Sequence, residues 1–270
     1  MRQFLVDAFA DRPFKGNPAC VLPPFDAWPE DGFMADLAME NNQAETAYLL
    51  KSDDPARFGL RWFTPAMEVK LCGHATLAAA HVLFTELGNT AEVLTFDTLS
   101  GELRVRRADN GRLEMDFPAY EPHEIAAMPE VEQALGFKPK TLYGGPALIA
   151  FLDSEQAVRE AVPDMLHIQP YPGTAYDDQH LIVTAFADGD KPYHVVSRLF
   201  APGMGIPEDP ATGSMHCMLA PLYEMLTGKS GLDYYQAHPR RGAHLQCERA
   251  GDRVKLRGRA VTVAETNLFL

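Results

Sequence analysis

RLFAPGMGIPEDPATGSMHCMLAPL, residues 198–222, repeats the plan of an earlier stretch, RWFTPAMEVKLCGHATLAAA, residues 61–80. Both stretches open with Arg-x-Phe-x-Pro and carry a Met two residues after the Pro. An acidic patch, a turn of small residues and a helix-forming apolar run follow in each. Strand-turn-helix units repeated at this separation predict a duplicated chain, with a site where the two copies face each other.

A second, fainter repeat precedes each copy. The segment GNPACV, residues 16–21, aligns with GGPALI, residues 144–149. Two motifs in the same order favour a chain of two related halves, each of roughly 120 to 150 residues.

Composition indicates a soluble globular protein and excludes several partners. The chain has 270 residues, 46% of them hydrophobic, and 24 Lys and Arg against 37 Asp and Glu give a net charge of -13. This charge repels phosphate backbones and anionic lipid, so we expect no nucleic acid and no membrane as a partner.

The cysteines and the N-terminus point to the cytoplasm. The four cysteines are far apart in sequence and form no C-x-x-C, which predicts reduced thiols rather than a zinc ribbon or a redox motif. The first residues, MRQFLVDAFADRPF, interrupt their apolar stretch too early for a signal peptide.

Short strands with one strongly apolar helix in each half predict an α+β fold, a curved sheet around a central helix. The helices are expected at residues 75–87 and 215–227. We expect an N-terminal domain at 1–118, a linker at 119–129 and a C-terminal domain at 130–270, whose last strand can return to the first domain. Residues 171–178 are predicted to form a loop.

The two central helices begin in similar ways, at Gly73-His74 and at Gly213-Ser214. Free N–H groups and the positive end of the helix dipole suit a carboxylate at such a position. Ordinary capping is the usual explanation for a single helix start of this kind. The same arrangement at two equivalent positions favours a site for a small acidic metabolite.

Three residues have the chemistry for proton transfer. Glu45 stands between a polar turn and an apolar run, where partial burial suits a proton shuttle, although a solvated carboxylate at a strand end is the alternative. Asp209 precedes a proline that holds it in extended geometry, and it could cap the following turn. His74 can donate or accept a proton near neutral pH.

Cys72 leaves a second mechanism open. A thiol at a helix N-terminus can have a lowered pKa and act as an acid or base. The equivalent residue in the second copy is Thr212, so a symmetric thiol pair is absent from the sequence. Ser214 lacks the G-x-S-x-G elbow, which argues against a serine hydrolase.

The chain resembles the PhzF family of phenazine-biosynthesis-type isomerases, which share the diaminopimelate epimerase-like fold. The matching segments run in order along nearly the whole chain and are Asp7-Ala8-Phe9, Gly16-Asn17-Pro18, Asn42-x-x-Glu45-Thr46, Arg61-x-Phe63-Thr64-Pro65, Cys72-Gly73-His74-Ala75-Thr76, Arg198-x-Phe200-x-Pro202 and Glu208-Asp209-Pro210-Ala211-Thr212-Gly213-Ser214.

The resemblance implies two similar, pseudo-symmetric domains, each a β-barrel-like sheet around a central helix, with a cofactor-free site in the cleft between them. It implies that Glu45 moves the proton while His74, Asp209 and Ser214 surround the substrate. The backbone of Gly73 and Gly213 would lie near the substrate carboxylate. Cys72 and Thr212 complete the expected set of substrate-binding residues.

The sequence thus predicts a cytoplasmic, homodimeric isomerase without metal or cofactor, which shifts a proton within a small carboxylated metabolite. Two alternatives stay open. One is a thiol-dependent epimerase or racemase that uses Cys72, and the other is a non-catalytic metabolite-binding protein.

Overall fold

The computed structural model describes residues 1–168, 180–204 and 206–269. The loop predicted at residues 171–178 lies outside these described residues. No helix in the described part of the chain is long and apolar enough to cross a membrane.

The described residues form mostly short strands with five α-helices. The strands are β1 (Arg2–Ala8), β2 (Asn17–Val21), β3 (Glu45–Lys51), β4 (Arg57–Phe63), β5 (Glu68–Val69), β6 (Val93–Thr98), β7 (Gly101–Arg107), β8 (Leu113–Pro118), β9 (His123–Ile125), β10 (Thr141–Gly144), β11 (Leu148–Phe151), β12 (Leu181–Phe186), β13 (Val195–Ala201), β14 (Ile206–Asp209), β15 (Gly231–Gln236), β16 (Ala243–Ala250), β17 (Arg253–Gly258) and β18 (Ala260–Asn267). The helices are α1 (Asp31–Asn41), α2 (Gly73–His81), α3 (Pro129–Leu135), α4 (Glu155–Glu160) and α5 (Gly213–Thr227).

The chain divides into two compact units. Unit 1 consists of Met1–Asp116 and Arg257–Leu270, and unit 2 is Phe117–Leu256. The last strand joins unit 1 because β18 pairs with β1 along nearly its whole length. The segment expected as a linker, 119–129, groups with unit 2, since β9 within it pairs with β10.

The sheet of unit 1 follows the order β18, β1, β2, β3, β4, β6, β7 and β8, and β5 pairs with the C-terminal end of β4. The pairs β2–β3 and β4–β6 are parallel, and the others are antiparallel. In this sheet α2 contacts β1, β2, β3 and β18, so that strands of one sheet surround it.

Unit 2 repeats this pattern. Its sheet runs β9, β10, β11, β12, β13, β15 and β16, with β14 paired to the C-terminal end of β13. The parallel pairs, β11–β12 and β13–β15, occupy the same places as those of unit 1. The prediction of an α+β fold built from two similar halves is confirmed.

The central helices can lie inside curved sheets because of their composition. In α2 every residue from His74 to Ala80 is buried, and Ala75, Ala78 and Ala79 are completely inaccessible. Alanine has high helix propensity and a side chain short enough for strands to approach the helix backbone closely. In α5 the buried stretch runs from Met215 to Tyr223.

The repeated Arg-x-Phe-x-Pro motif builds the same ion pair in both units. Arg61 donates to both carboxylate oxygens of Glu68, at 2.7 and 2.8 Å, and Arg198 donates to both oxygens of Glu208, at 2.7 and 2.9 Å. These paired, charge-assisted bonds fix the two-residue β5 and the four-residue β14 against the sheet. They therefore orient the chain that leads into α2 and α5.

Candidate active site

Four of the predicted site residues lie at the start of α2 in unit 1. Glu45 is the first residue of β3, Cys72 precedes α2, and Gly73 and His74 are the first two residues of α2. The carboxylate oxygen Oε2 of Glu45 lies 2.8 Å from Nε2 of His74, although the two atoms are not aligned as a straight hydrogen bond. Cys72 Sγ lies 3.5 Å from Nδ1 of the same ring. Glu45 and Cys72 thus contact the two different ring nitrogens of His74.

Local structure explains why these side chains meet. The parallel pairing of β2 with β3 places Glu45 opposite Ala19, at the edge where α2 begins. Cys72 is extended, and its carbonyl accepts both from the N–H of Thr76 and from the Thr76 hydroxyl at 2.5 Å. These two hydrogen bonds fix the first turn of α2 and thereby the position of His74.

His74 and Cys72 both have shifted pKa values. Burial lowers the pKa of His74, whereas its contacts with Cys72 and with the Glu45 carboxylate raise it, and the net direction is upward. Burial, reinforced by the charge of Glu45, raises the pKa of Cys72. Cys72 is therefore a neutral thiol at neutral pH, and Glu45 supplies the negative charge beside His74.

The structure does not favour the lowered pKa that the sequence left open for Cys72. A helix N-terminus stabilises a thiolate only where other effects do not oppose it. Cys72 is 7% exposed, so desolvation and the nearby Glu45 carboxylate dominate.

The same three side chains have the donor types of a metal site. Their ligand atoms lie within 4.8 Å of one another. Imidazole, thiolate and carboxylate are ligands that a Zn²⁺ ion accepts. Glu45 and Cys72 approach opposite ring nitrogens of His74, however, whereas one metal ion would use a single ring nitrogen, so this arrangement suits proton transfer better.

Asn17 is a fourth member of the cluster, which the sequence did not single out. Its amide nitrogen Nδ2 lies 3.2 Å from Nδ1 of His74, and the residue is completely inaccessible. In the sequence, Asn17 belongs to a segment that resembles the PhzF family, Gly16-Asn17-Pro18, but its contact with His74 could not be predicted because the two residues are 57 positions apart. The repeated segment at residues 16–21, which contains β2, was a second available signal.

The other predicted residues meet at the start of α5 in unit 2. Asp209 ends β14, and its carboxylate accepts from the hydroxyl of Thr212, the residue before α5. Gln236 of β15 donates to the carbonyl of Asp209 at 2.7 Å and accepts from the N–H of Thr212 at 2.8 Å. Gly213 and Ser214 form the first turn of α5.

The asparagine-histidine pair of unit 1 is not repeated in unit 2. With the helix starts aligned, Thr212 replaces Cys72 and Ser214 replaces His74. Strand pairing aligns Phe63 with Phe200, and hence Glu45 with His180. The predicted catalytic and binding residues are thus divided between two helix starts of different chemistry, and their individual roles stay predictions.

His216, within the first turns of α5, is fully buried. Its Nδ1 lies 2.8 Å from the carbonyl of Thr212, and a carbonyl only accepts, so Nδ1 carries the proton. Nε2 has no hydrogen-bond partner among the described residues. Burial lowers the pKa of His216 to about 4, although the Thr212 carbonyl opposes this shift. In unit 1 the equivalent residue is Thr76, which donates to Cys72 in the same way.

We expect His216 to destabilise unit 2 in acid. An unfolded histidine takes up a proton near pH 6.5, whereas folded His216 stays neutral down to about pH 4. The free energy of unfolding should therefore fall between these pH values by ~3 kcal/mol, at ~1.4 kcal/mol per pH unit. His216→Thr, which copies Thr76, should remove this loss while costing some stability at pH 7. Urea unfolding at pH 7, 5.5 and 4 measures both, and parallel pH profiles for the two proteins would contradict the assignment.

The fold has counterparts among known proteins. A PhzF family protein of Enterococcus faecalis has a TM-score of 0.91 and 38% identity, with 100% of this chain and 99% of that chain covered. A probable proline racemase of Agrobacterium radiobacter shares the fold at 14% identity and a TM-score of 0.61, with 100% and 93% covered. These likenesses confirm the predicted diaminopimelate epimerase-like fold.

Sequence comparison identifies the family to which the chain belongs. Residues 6–266 match the family described as PhzC-PhzF, phenazine biosynthesis-like protein. An uncharacterised isomerase of Pseudomonas aeruginosa is 45% identical over 266 residues, which cover 98% of this chain and 97% of the relative. The chain belongs to the PhzF family of phenazine biosynthesis-like proteins, as the sequence motifs predicted.

Proposed function

We propose that the protein is a cofactor-independent isomerase that moves a proton between two carbons of a small carboxylated metabolite. The observation that carries this proposal is the buried contact of Glu45 with His74 at the start of α2, 2.8 Å between Oε2 and Nε2. Membership of a family with relatives named isomerases supports the reaction class. The absence of a cofactor, the substrate and the residue roles are parts of the proposal.

Glu45 would act as the base and then as the acid. Its carboxylate takes a proton from carbon, and the C–H electron pair forms a new double bond while a neighbouring double bond shifts. The same carboxyl group returns the proton at the far carbon, so the reaction is redox-neutral and consumes no co-reactant. A substrate for this route needs an acidic C–H next to an unsaturated or carbonyl group.

His74 would hold Glu45 and balance its charge. A protonated His74 beside Oε2 stabilises the carboxylate before the proton is taken and orients it toward the substrate. The N–H groups in the first turn of α2 offer donors for the substrate carboxylate. Asp209, Thr212, Gly213 and Ser214 offer a hydrogen-bonding group at the start of α5, and we propose that they bind substrate.

Exchange of hydrogen with the solvent tests the reaction class. The protein is incubated in deuterated water with a panel of small cyclic and amino-substituted carboxylic acids, and each acid is analysed by NMR and mass spectrometry. An isomerase produces a rearranged product, with deuterium at the new C–H unless Glu45 returns the original proton. A non-catalytic binding protein would bind an acid but leave both its structure and its isotopes unchanged.

Cys72→Ser separates the proposed mechanism from a thiol-dependent epimerase. Because the pKa of Cys72 is raised and Thr212 supplies no second thiol, we expect the variant to keep activity within about tenfold of wild type. Loss of a true acid or base would cost ~10² to 10⁴. Steady-state rates on the substrate found above measure the difference. A loss of that size for Cys72→Ser, with Glu45→Gln still active, would favour the epimerase.

A cytoplasmic location and a homodimer stay predictions. Gel filtration with light scattering measures the second directly. Four buried free cysteines are consistent with a reducing compartment.

A further inference from the structure

We propose that Asn17 is a positioning residue that holds the His74 ring by Nδ1, so that Nε2 faces Glu45. The amide nitrogen of Asn17 and Nδ1 of His74 are 3.2 Å apart, and Glu45 Oε2 lies 2.8 Å from Nε2 on the other side of the ring. A histidine ring held at one nitrogen has a defined orientation and tautomer at the other. The catalytic consequence rests on the proposed function, whereas the ring orientation does not.

The backbone around Asn17 leaves its side chain little freedom. Gly16 has a φ of +62°, and a Cβ there would lie 1.9 Å from the carbonyl oxygen of Ala8. Only glycine fits this close approach, after which Asn17 pairs with Ala8 as the first residue of β2. The following proline restricts Asn17 to extended angles. The turn thus delivers a completely buried amide to the start of α2.

An amide suits a ring that changes its protonation state. When Nδ1 is unprotonated, the Asn17 NH₂ group donates to it. When His74 is an imidazolium, Nδ1–H needs an acceptor, and the amide oxygen provides one after rotation of the amide. An aspartate in this place would favour the cation strongly, and an apolar residue would bind neither form.

The internal repeat supports a dedicated role for Asn17. The residue aligned with Asn17 in unit 2 is Gly145, and the residue aligned with His74 is Ser214. At these two aligned positions unit 1 has the amide and the imidazole, and unit 2 has neither. A role of Asn17 in the fold alone would be required equally in both units, since they share the same strand pairing.

Two titratable groups act on His74, namely Glu45 of β3 and Cys72 before α2. Asp7, on the neighbouring β1, accepts from the N–H of Phe14 at 2.6 Å. Cys72 Sγ also lies near Nδ1, at 3.5 Å, but a thiol is a weak donor compared with an amide. Asn17 is therefore the stronger hydrogen-bonding partner of this nitrogen.

The test is a ¹⁵N NMR titration of the histidine rings in the full-length, ligand-free protein between pH 5 and 10. Wild type is compared with Asn17→Leu, which keeps the size, and Asn17→Asp, which keeps the shape and an acceptor. The His74 signals are assigned by their loss in His74→Gln. His81, at the other end of α2, and His216, with its proton on Nδ1, serve as references for a folded chain in each unit.

We expect opposite effects from the two variants. Asn17→Asp should raise the titration midpoint of His74 by about one pH unit or more, as an opposite charge at this distance does. Asn17→Leu should lower the midpoint and shift the Nδ1 resonance. Signals of His74 unchanged in Asn17→Leu would overturn the proposal. If that variant does not fold, an unchanged His74 midpoint in Asn17→Asp overturns it instead.

The turnover measurement adds the functional consequence. Asn17→Leu should lower kcat with little change in KM, because the substrate does not contact this inaccessible residue. A normal His74 titration with a lost kcat would contradict the positioning role, whereas an altered titration in a protein without isomerase activity would leave the role intact and remove the proposed function.

Discussion

Glu45→Gln is expected to fold like wild type, to bind ligand and to slow turnover by ~10² to 10⁴. Glutamine keeps the shape of the side chain and its hydrogen bonds but cannot accept a proton from carbon. The variant should also lower the pKa of His74, because the carboxylate that helps to raise it is gone. Steady-state rates, solvent-deuterium exchange and the ¹⁵N titration of His74 measure the three effects.

Glu86→Gln is the matched control. Glu86 lies beyond the end of α2, with a carboxylate oxygen 3.9 Å from Nε2 of His81, so it is another glutamate-histidine pair of unit 1. Its replacement should leave turnover unchanged. Glu45→Asp, which keeps the carboxylate but withdraws it by one methylene, should retain more activity than Glu45→Gln. Undiminished turnover in Glu45→Gln would remove Glu45 from the mechanism and bring Cys72 forward as the base.

The repeated motif predicted the fold well because it is local in sequence. Arg-x-Phe-x-Pro marks β4 and β13, and the small-residue turns mark the first residues of α2 and α5. The short strands β5 and β14 were not predicted, since two to four residues carry no detectable alternation. They exist because Glu68 and Glu208 bind arginines on the adjacent strand, contacts that are visible only after folding.

The site was predictable in its residue types but not in its connections. Glu45, Cys72 and His74 were identified from their settings, and the structure brings them together. Asn17 and Gln236 were missed because each binds a partner distant in sequence and lies on a strand that the sequence analysis did not connect with the site. The raised pKa of Cys72 could not be predicted, because the degree of burial at a helix start is a property of the packed sheet around it.

The two arginine-glutamate pairs allow a more buried and a less buried ion pair to be compared within one chain. Arg198 has a side chain that is 5% exposed, and beyond Glu208 it donates to the carbonyls of Val158, Arg159 and Ala161, at 3.1, 3.0 and 2.7 Å. These carbonyls lie at the C-terminal end of α4, where helices lack internal donors. Arg198 therefore joins α4, β13 and β14.

Arg198→Met should lower the free energy of unfolding by ~3 to 5 kcal/mol, since removing one partner leaves a carboxylate that is only 12% exposed and three carbonyls without their donor. Arg61→Met is the matched control in unit 1, where the arginine is 19% exposed and its second partner, Asp31, is 79% exposed. Water can replace this arginine in part, so we expect a loss of only ~1 kcal/mol. Urea unfolding of both variants gives the comparison. Equal losses would show that burial does not determine how much each ion pair contributes to the free energy of unfolding. The bidentate geometry that the pairs with Glu68 and Glu208 share would then determine this contribution.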